Sequence, residues 1–206
     1  MASLQLVLPL FVVLILSLSF HEAAHAWTAD KLGDPTARQL GRLSLNPLVH
    51  IDWIGTVLVP LVALYSGWPL IGWAKPVPVN QNFLQSPRRD FAIVALAGPV
   101  SNILLAMAGA VLIKTLVPAG AADPSFAENM LTSVVWLNVL LAVFNMIPVP
   151  PFDGGNVLAG MLPEAGSRLI DRLRPFGIAI VYVLMFSGFF SYVLFPIQHQ
   201  VLRWLL

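Results

Sequence analysis

Residues Leu4 to Phe20 form an apolar run without one charged side chain, and the run passes directly into His21-Glu22-Ala23-Ala24-His25. Crossing ~30 Å of hydrocarbon takes about 20 apolar residues, so Leu4 to Trp27 is expected to span a bilayer. A lone segment inside lipid must satisfy its own backbone hydrogen bonds, which makes it helical. On a helix, residues four apart share a face, so His21 and His25 stand one turn above the other and can bind one metal ion. Glu22 projects about 100° round the helix, placed to reach an activated water without ligating the metal. Ionisable groups at membrane depth are costly and by default functional. The pattern points to metallopeptidase chemistry within the bilayer.

Composition agrees. Of 206 residues, 58% are hydrophobic and 10% charged, against roughly 25% charged in soluble domains. A net charge of +1, with no basic cluster interleaved with aromatics, excludes a nucleic-acid partner. The chain has no cysteine, so a metal must be held by His, Asp or Glu. A cleaved signal peptide is disfavoured: no Lys or Arg precedes the apolar run, which exceeds the usual ~7–15 residues.

Four further apolar stretches follow. Residues Phe91 to Val117 and Met130 to Ile147 read as spans, and a last one begins near Phe176, with Pro196 expected to kink or end it. Ile54 to Trp73 is interrupted by Pro60, Gly67 and Pro69, which suits a re-entrant segment lining a protein cavity. Lys75-Pro76-Val77-Pro78-Val79-Asn80 reads as extended chain, because proline is excluded from helix interiors and tolerated on edge strands. Ala37 to Asn46 alternates enough for a short strand. The expected fold is an all-α polytopic membrane protein, with about four to six transmembrane helices, a re-entrant segment and short membrane-associated β-strands. Residues 1–206 are expected to form a single domain. The pattern fixes no oligomeric state.

Lys and Arg concentrate at 31–42, 75–89 and 168–174, whereas 118–128 has none. The positive-inside rule puts the first three in the cytoplasm and the last outside. If Ile54 to Trp73 dips and returns, Asp153 arrives on the same side as His21 and His25; a full crossing would put it on the far side. The expectation is a multi-pass protein of the cell membrane with its site toward the cytoplasm.

A catalytic zinc needs three protein ligands and an open position. Asp153, after an apolar span and before Gly154 and Gly155, is the best-placed third ligand; its alternative is an N-cap for a helix at Asn156 to Leu162. Asn145 is a candidate donor to the substrate backbone or developing oxyanion, with an interhelical hydrogen bond as its alternative. Asn102 and Asn138 favour the helix-linking role. His50 and Asp52 fit either support of the metal ligands or a structural turn. Zinc suits a tetrahedral site of two histidines and one aspartate with an open position, without the motif excluding iron or manganese.

Taken together, His21-Glu22-x-x-His25, Gly98-Pro99-x-x-Asn102, and Asn145-x-x-Pro148 leading to Asp153-Gly154 resemble the site-2 protease family of intramembrane zinc metalloproteases. Gly33-Asp34-Pro35-Thr36-Ala37-Arg38, Gly41 to Pro47 and His50-x-Asp52 look like its small bacterial and archaeal branch, with Trp53 where that branch often has Pro. The resemblance runs from about residue 10 to about 175. It implies His21, His25 and Asp153 as zinc ligands and Glu22 as general base. It also implies cleavage of transmembrane segments of other membrane proteins, with no PDZ or CBS domain here. Substrate helices must unwind before attack, and Arg42 to Asn46 or Pro76 to Asn80 is expected to offer an edge for strand addition. Two other readings remain: a catalytically silent membrane scaffold that keeps the metal site, and a metal transporter. The intact Glu22 argues against the scaffold, and the sparse polar groups of the first span argue against transport.

Overall fold

The computed structural model describes residues 4–66, 73–117 and 126–206. These residues are 79% helical. The helices are α1 (Leu4–Lys31), α2 (Thr36–Gln39), α3 (Val59–Ser66), α4 (Pro87–Leu116), α5 (Phe126–Asn145), α6 (Asp153–Met161), α7 (Glu164–Leu173), α8 (Gly177–Phe186) and α9 (Phe195–Leu205). Three of them are long and apolar enough to cross a membrane: Pro9–Lys31 of α1, α4 and α5. A fourth span exists if the bent pair Glu164–Phe186 and Phe190–Leu205 counts as one. The described residues thus hold three helices of spanning length, or four, at or just below the lower edge of the sequence expectation.

Helix α4 is central and packs on α1, α5, α6 and α9. Its contact with α5 is close because it presents small residues there. Ala106 and Ala110 are buried against Val135 and Val139, and a Cβ on Gly109 would come within 2.9 Å of Val135. Without a hydrophobic driving force between helices in lipid, such close van der Waals contact drives association. Val13, Leu14 and Leu18 of α1 meet Leu137 of α5 in a second cluster, and Ile147, Phe152 and Leu194 form a third.

Two sequence expectations are corrected. No β-strand is present among the described residues. The alternating stretch from Ala37 begins inside α2, and Asn46 caps a 3-10 turn at Pro47–Val49. The segment from Lys75 to Asn80 lies in no helix or strand, and three of its backbone N–H groups go to partners outside it. Lys75 N–H donates to the His50 carbonyl at 2.9 Å, Val77 N–H to Glu22 at 3.0 Å and Asn80 N–H to Asp34 at 2.6 Å. Pro76 and Pro78 have no N–H to offer. The second correction concerns the last apolar segment. It bends by 71° between Phe186 and Phe190, where Gly188 adopts φ +79°, and not at Pro196. Pro196 instead lies just past the π-helical turn Phe190–Leu194, inside a run that stays helical from Phe190 to Leu205.

The segment from Ile54 starts as a π-helical turn, Trp53–Leu58, and continues into α3. Trp73 N–H donates to the Gly55 carbonyl at 3.1 Å, and Thr56 Oγ1 donates to the Trp73 carbonyl at 2.8 Å. The two ends of the segment therefore meet; residues 67–72, with Gly67 and Pro69, lie outside the described residues.

Candidate metal centre

Helix α1 presents His21 and His25 inward, 4% and 8% exposed. Their Nε2 atoms are 3.0 Å apart. Asp153 brings its Oδ2 to 3.1 Å from the His21 Nε2 and 3.4 Å from that of His25. The carboxylate gets there because Asp153 is the first residue of α6, with Phe152 as the N-cap. The capping role considered from sequence therefore falls to another residue. Gly154 and Gly155 permit this placement: a Cβ would lie 2.4 Å from the Met146 carbonyl oxygen at the first and 2.7 Å from Val149 at the second.

Outer contacts set the chemistry of the two rings. His21 Nδ1 donates to Asn102 Oδ1 at 2.6 Å, and His25 Nδ1 donates to the Val94 carbonyl at 2.7 Å. With both Nδ1 positions protonated, each Nε2 carries a lone pair. Two lone pairs and a carboxylate oxygen then converge with no proton among them, and Asp153 Oδ2 has no hydrogen-bond partner although buried. Such an arrangement asks for a cation. Bonds of 2.0–2.1 Å meeting at tetrahedral angles set ligand atoms about 3.3 Å apart, close to the three separations observed. His21, His25 and Asp153 form a group that could hold a metal ion, and their donor chemistry fits zinc.

Asn102 is the centre of a buried network. Its Nδ2 donates to Asn138 Oδ1 at 2.8 Å, and Asn138 Nδ2 donates to Ser17 Oγ at 2.9 Å and to the Val134 carbonyl. One chain of hydrogen bonds thus joins α1, α4 and α5 and ends on a candidate ligand. The helix-linking role expected for both asparagines is present, and Asn102 has a second job that helix linking alone does not suggest. Its pairing with Gly98-Pro99 in one motif is the available signal. Asn102→Ala is expected to weaken zinc binding about 10–100-fold, the usual effect of removing an outer partner of a ligating histidine. Competition with a chromophoric chelator measures it.

Glu22 is buried beside this cluster and its Oε2 accepts from Val77 N–H. Asn145, at the end of α5, donates to the Leu141 carbonyl one turn back at 3.0 Å. His50 and Asp52 are not part of the metal group. His50 Nε2 bonds to the Ser44 carbonyl at 2.8 Å, and Asp52 caps the turn at Trp53 by accepting from Ile54 and Gly55. They build the loop that the Lys75 segment rests on.

Membrane-length helices around a buried cluster of two histidines and a carboxylate define a membrane protein with a candidate metal centre. The Peptidase family M50 model matches residues 117–188, a stretch that includes Asp153. "Putative zinc metalloprotease YwhC" of Bacillus subtilis is 37% identical over 191 residues, covering 91% of this chain and 84% of that protein. "Putative zinc metalloprotease Rip2" of Mycolicibacterium smegmatis is 31% identical over 175 residues, 84% of this chain and 64% of the relative. The Rip2 of Mycobacterium tuberculosis is 28% identical over the same shares. No solved structure matches the chain. The chain belongs to Peptidase family M50, the site-2 protease family of metalloproteases.

Proposed function

We propose that this protein is an intramembrane zinc endopeptidase that hydrolyses peptide bonds within or near transmembrane segments of membrane-protein substrates. The observation that carries the reading is the convergence of two Nε2 lone pairs and a carboxylate oxygen within 3.4 Å, with Glu22 between the two histidines. His21, His25 and Asp153 hold the ion. Zinc, when bound, supplies Lewis-acid chemistry, polarising the scissile carbonyl and lowering the pKa of water. Glu22 takes the proton from the attacking water and delivers it to the amine that leaves. Asn145, near the mouth of the loop that carries Asp153, offers a hydrogen bond to substrate backbone. Its existing bond to Leu141 leaves the rest of the amide for that purpose.

The meeting of Trp73 with Gly55 supports a segment that dips into the bilayer and returns. With that topology, the charged stretches at 31–42, 75–89 and 168–174 lie in the cytoplasm, and the metal centre opens toward it. The substrates are single-span or multi-span membrane proteins in the same bilayer.

Metal analysis paired with proteolysis tests the reading. Purified protein in liposomes is expected to carry close to one zinc per chain and to cleave members of a panel of single-span membrane proteins. Stripping the ion with a chelator should abolish cleavage, and stoichiometric zinc should restore it. Zinc-loaded protein that cleaves no member of the panel would favour the silent scaffold, and protein without affinity for zinc would remove the basis of both readings.

A further inference from the structure

The irregular segment from Trp73 to Asn80 lies across the catalytic end of α1, pinned at intervals. Its most informative contact concerns a single peptide unit. The carbonyl of Pro76 accepts from Arg42 Nη2 at 3.4 Å, and the N–H of the same peptide bond, on Val77, donates to Glu22 Oε2 at 3.0 Å. One peptide plane is therefore held between a guanidinium on its oxygen and a carboxylate on its nitrogen. Arg42 is itself buried, being 8% exposed, and its Nη1 has no hydrogen-bond partner. A buried guanidinium with an idle N–H is expensive and keeps donor capacity for a further acceptor.

A peptidase needs this same pair of contacts around the bond it breaks. The carbonyl oxygen gains negative charge and wants a donor; the nitrogen must receive a proton from the acid–base group. We infer that Arg42 and Glu22 form a seat for one extended peptide unit, that Pro76–Val77 fills it at rest, and that the scissile peptide of the substrate takes its place during turnover. The inference rests on the reading of Glu22 as general base and adds Arg42 as a catalytic residue. In the reaction, the oxygen of water bonds to the carbonyl carbon while Glu22 accepts its proton. The carbonyl oxygen, now an oxyanion, accepts from Arg42. The C–N bond then breaks, and the amine departs with the proton that Glu22 held. No other reactant is required.

The occupant also describes the substrate. Lys75 to Val79 lies in no helix or strand, Asn80 is in the extended region, and two prolines keep the segment from becoming helix. A chain entering the seat must have its carbonyl and N–H turned outward to the two side chains, so the target is the unwound part of a membrane segment and not an intact helix.

The absence of cysteine from the chain allows a direct test. A Val77→Cys variant, loaded with zinc and then stripped by chelator to stop turnover, is reacted with a maleimide. The reaction is run with and without the single-span protein that wild type cleaves fastest. A displaced minor state populated at about 0.1–10% would become the major one, so the labelling rate should rise about tenfold or more at saturating substrate. Val79→Cys, outside the seat, serves in the same way if the first variant fails to fold. In parallel, Arg42→Gln should lower kcat about 10²–10³-fold, as loss of an oxyanion donor does, with KM and zinc content close to wild type. Arg42→Lys, which keeps a donor, should retain more kcat than Arg42→Gln. A labelling rate that ignores substrate in a variant that still cleaves would overturn the inference and leave the peptidase reading intact. So would an Arg42→Gln defect confined to zinc content or KM. Failure of the zinc-loaded wild type to cleave any single-span protein would instead sink the peptidase reading, and the seat with it.

Discussion

Glu22→Gln is expected to lower cleavage about 10²–10⁴-fold while zinc content stays at the wild-type level. The substitution keeps size and hydrogen-bonding capacity, and the glutamine oxygen can still accept from Val77 N–H. What disappears is the ability to take and return a proton. Because Glu22 is not among the three residues whose ligand atoms converge, the metal group should be untouched. Proteolysis with purified substrate in liposomes, read beside zinc analysis of the same sample, separates the two effects. Loss of zinc along with cleavage would move Glu22 from proton transfer to metal binding.

Gly98→Ala is expected to damage the metal centre severely without touching a ligand. A Cβ at this position would lie 2.4 Å from His25 Nε2 and within 2.6 Å of His21 Nε2. Neither ring can retreat freely, because Asn102 and the Val94 carbonyl hold their far nitrogens. The rings must swing off the shared point, and displacements of about 1 Å at a catalytic centre cost on the order of 10²-fold. Overpacking alone would cost about 1–3 kcal/mol of stability, so a control is needed. Gly109→Ala, on the same helix, presses on Val135 at 2.9 Å far from the histidines. It should lower thermal stability while keeping zinc affinity, whereas Gly98→Ala should lose affinity about 100-fold or more. Isothermal titration and thermal melts on both variants make the comparison.

The parts of this site that can be read from sequence are those set by local geometry. Two histidines four apart on a helix must share a face, and the structure puts their Nε2 atoms 3.0 Å apart. Asp153 takes a longer route, through donor chemistry, two glycines and the parity of membrane crossings, and the structure brings its carboxylate to both imidazoles. Arg42 is not legible as a site residue, because its partner Pro76 is 34 residues away and no periodicity links the two. The same is true of Asp34, fully buried, whose carboxylate takes the N–H of Asn80. The strand expectation fails for a related reason. Extended backbone is legible from the prolines, but strand identity depends on which neighbour receives the hydrogen bonds, and here side chains and loop carbonyls receive them. Pro196 is a louder signal for a bend than Gly188, yet the chain turns at the glycine. The helix runs on past the proline from a π-helical turn at Phe190–Leu194, which only the structure shows.

The Ser17–Asn138–Asn102–His21 chain has a thermodynamic corollary. The same hydrogen bonds aim an imidazole and hold three spanning helices together. Two processes that share parts in this way are linked, and linkage is reciprocal. An ion bound only by the assembled helices stabilises that assembly by about 4 kcal/mol at a thousand times its dissociation constant. Conversely, anything that loosens the junction of α1, α4 and α5 raises that dissociation constant. On the proposed reading, a bundle that has not closed correctly would hold no ion, and without one it would lack the proposed activity.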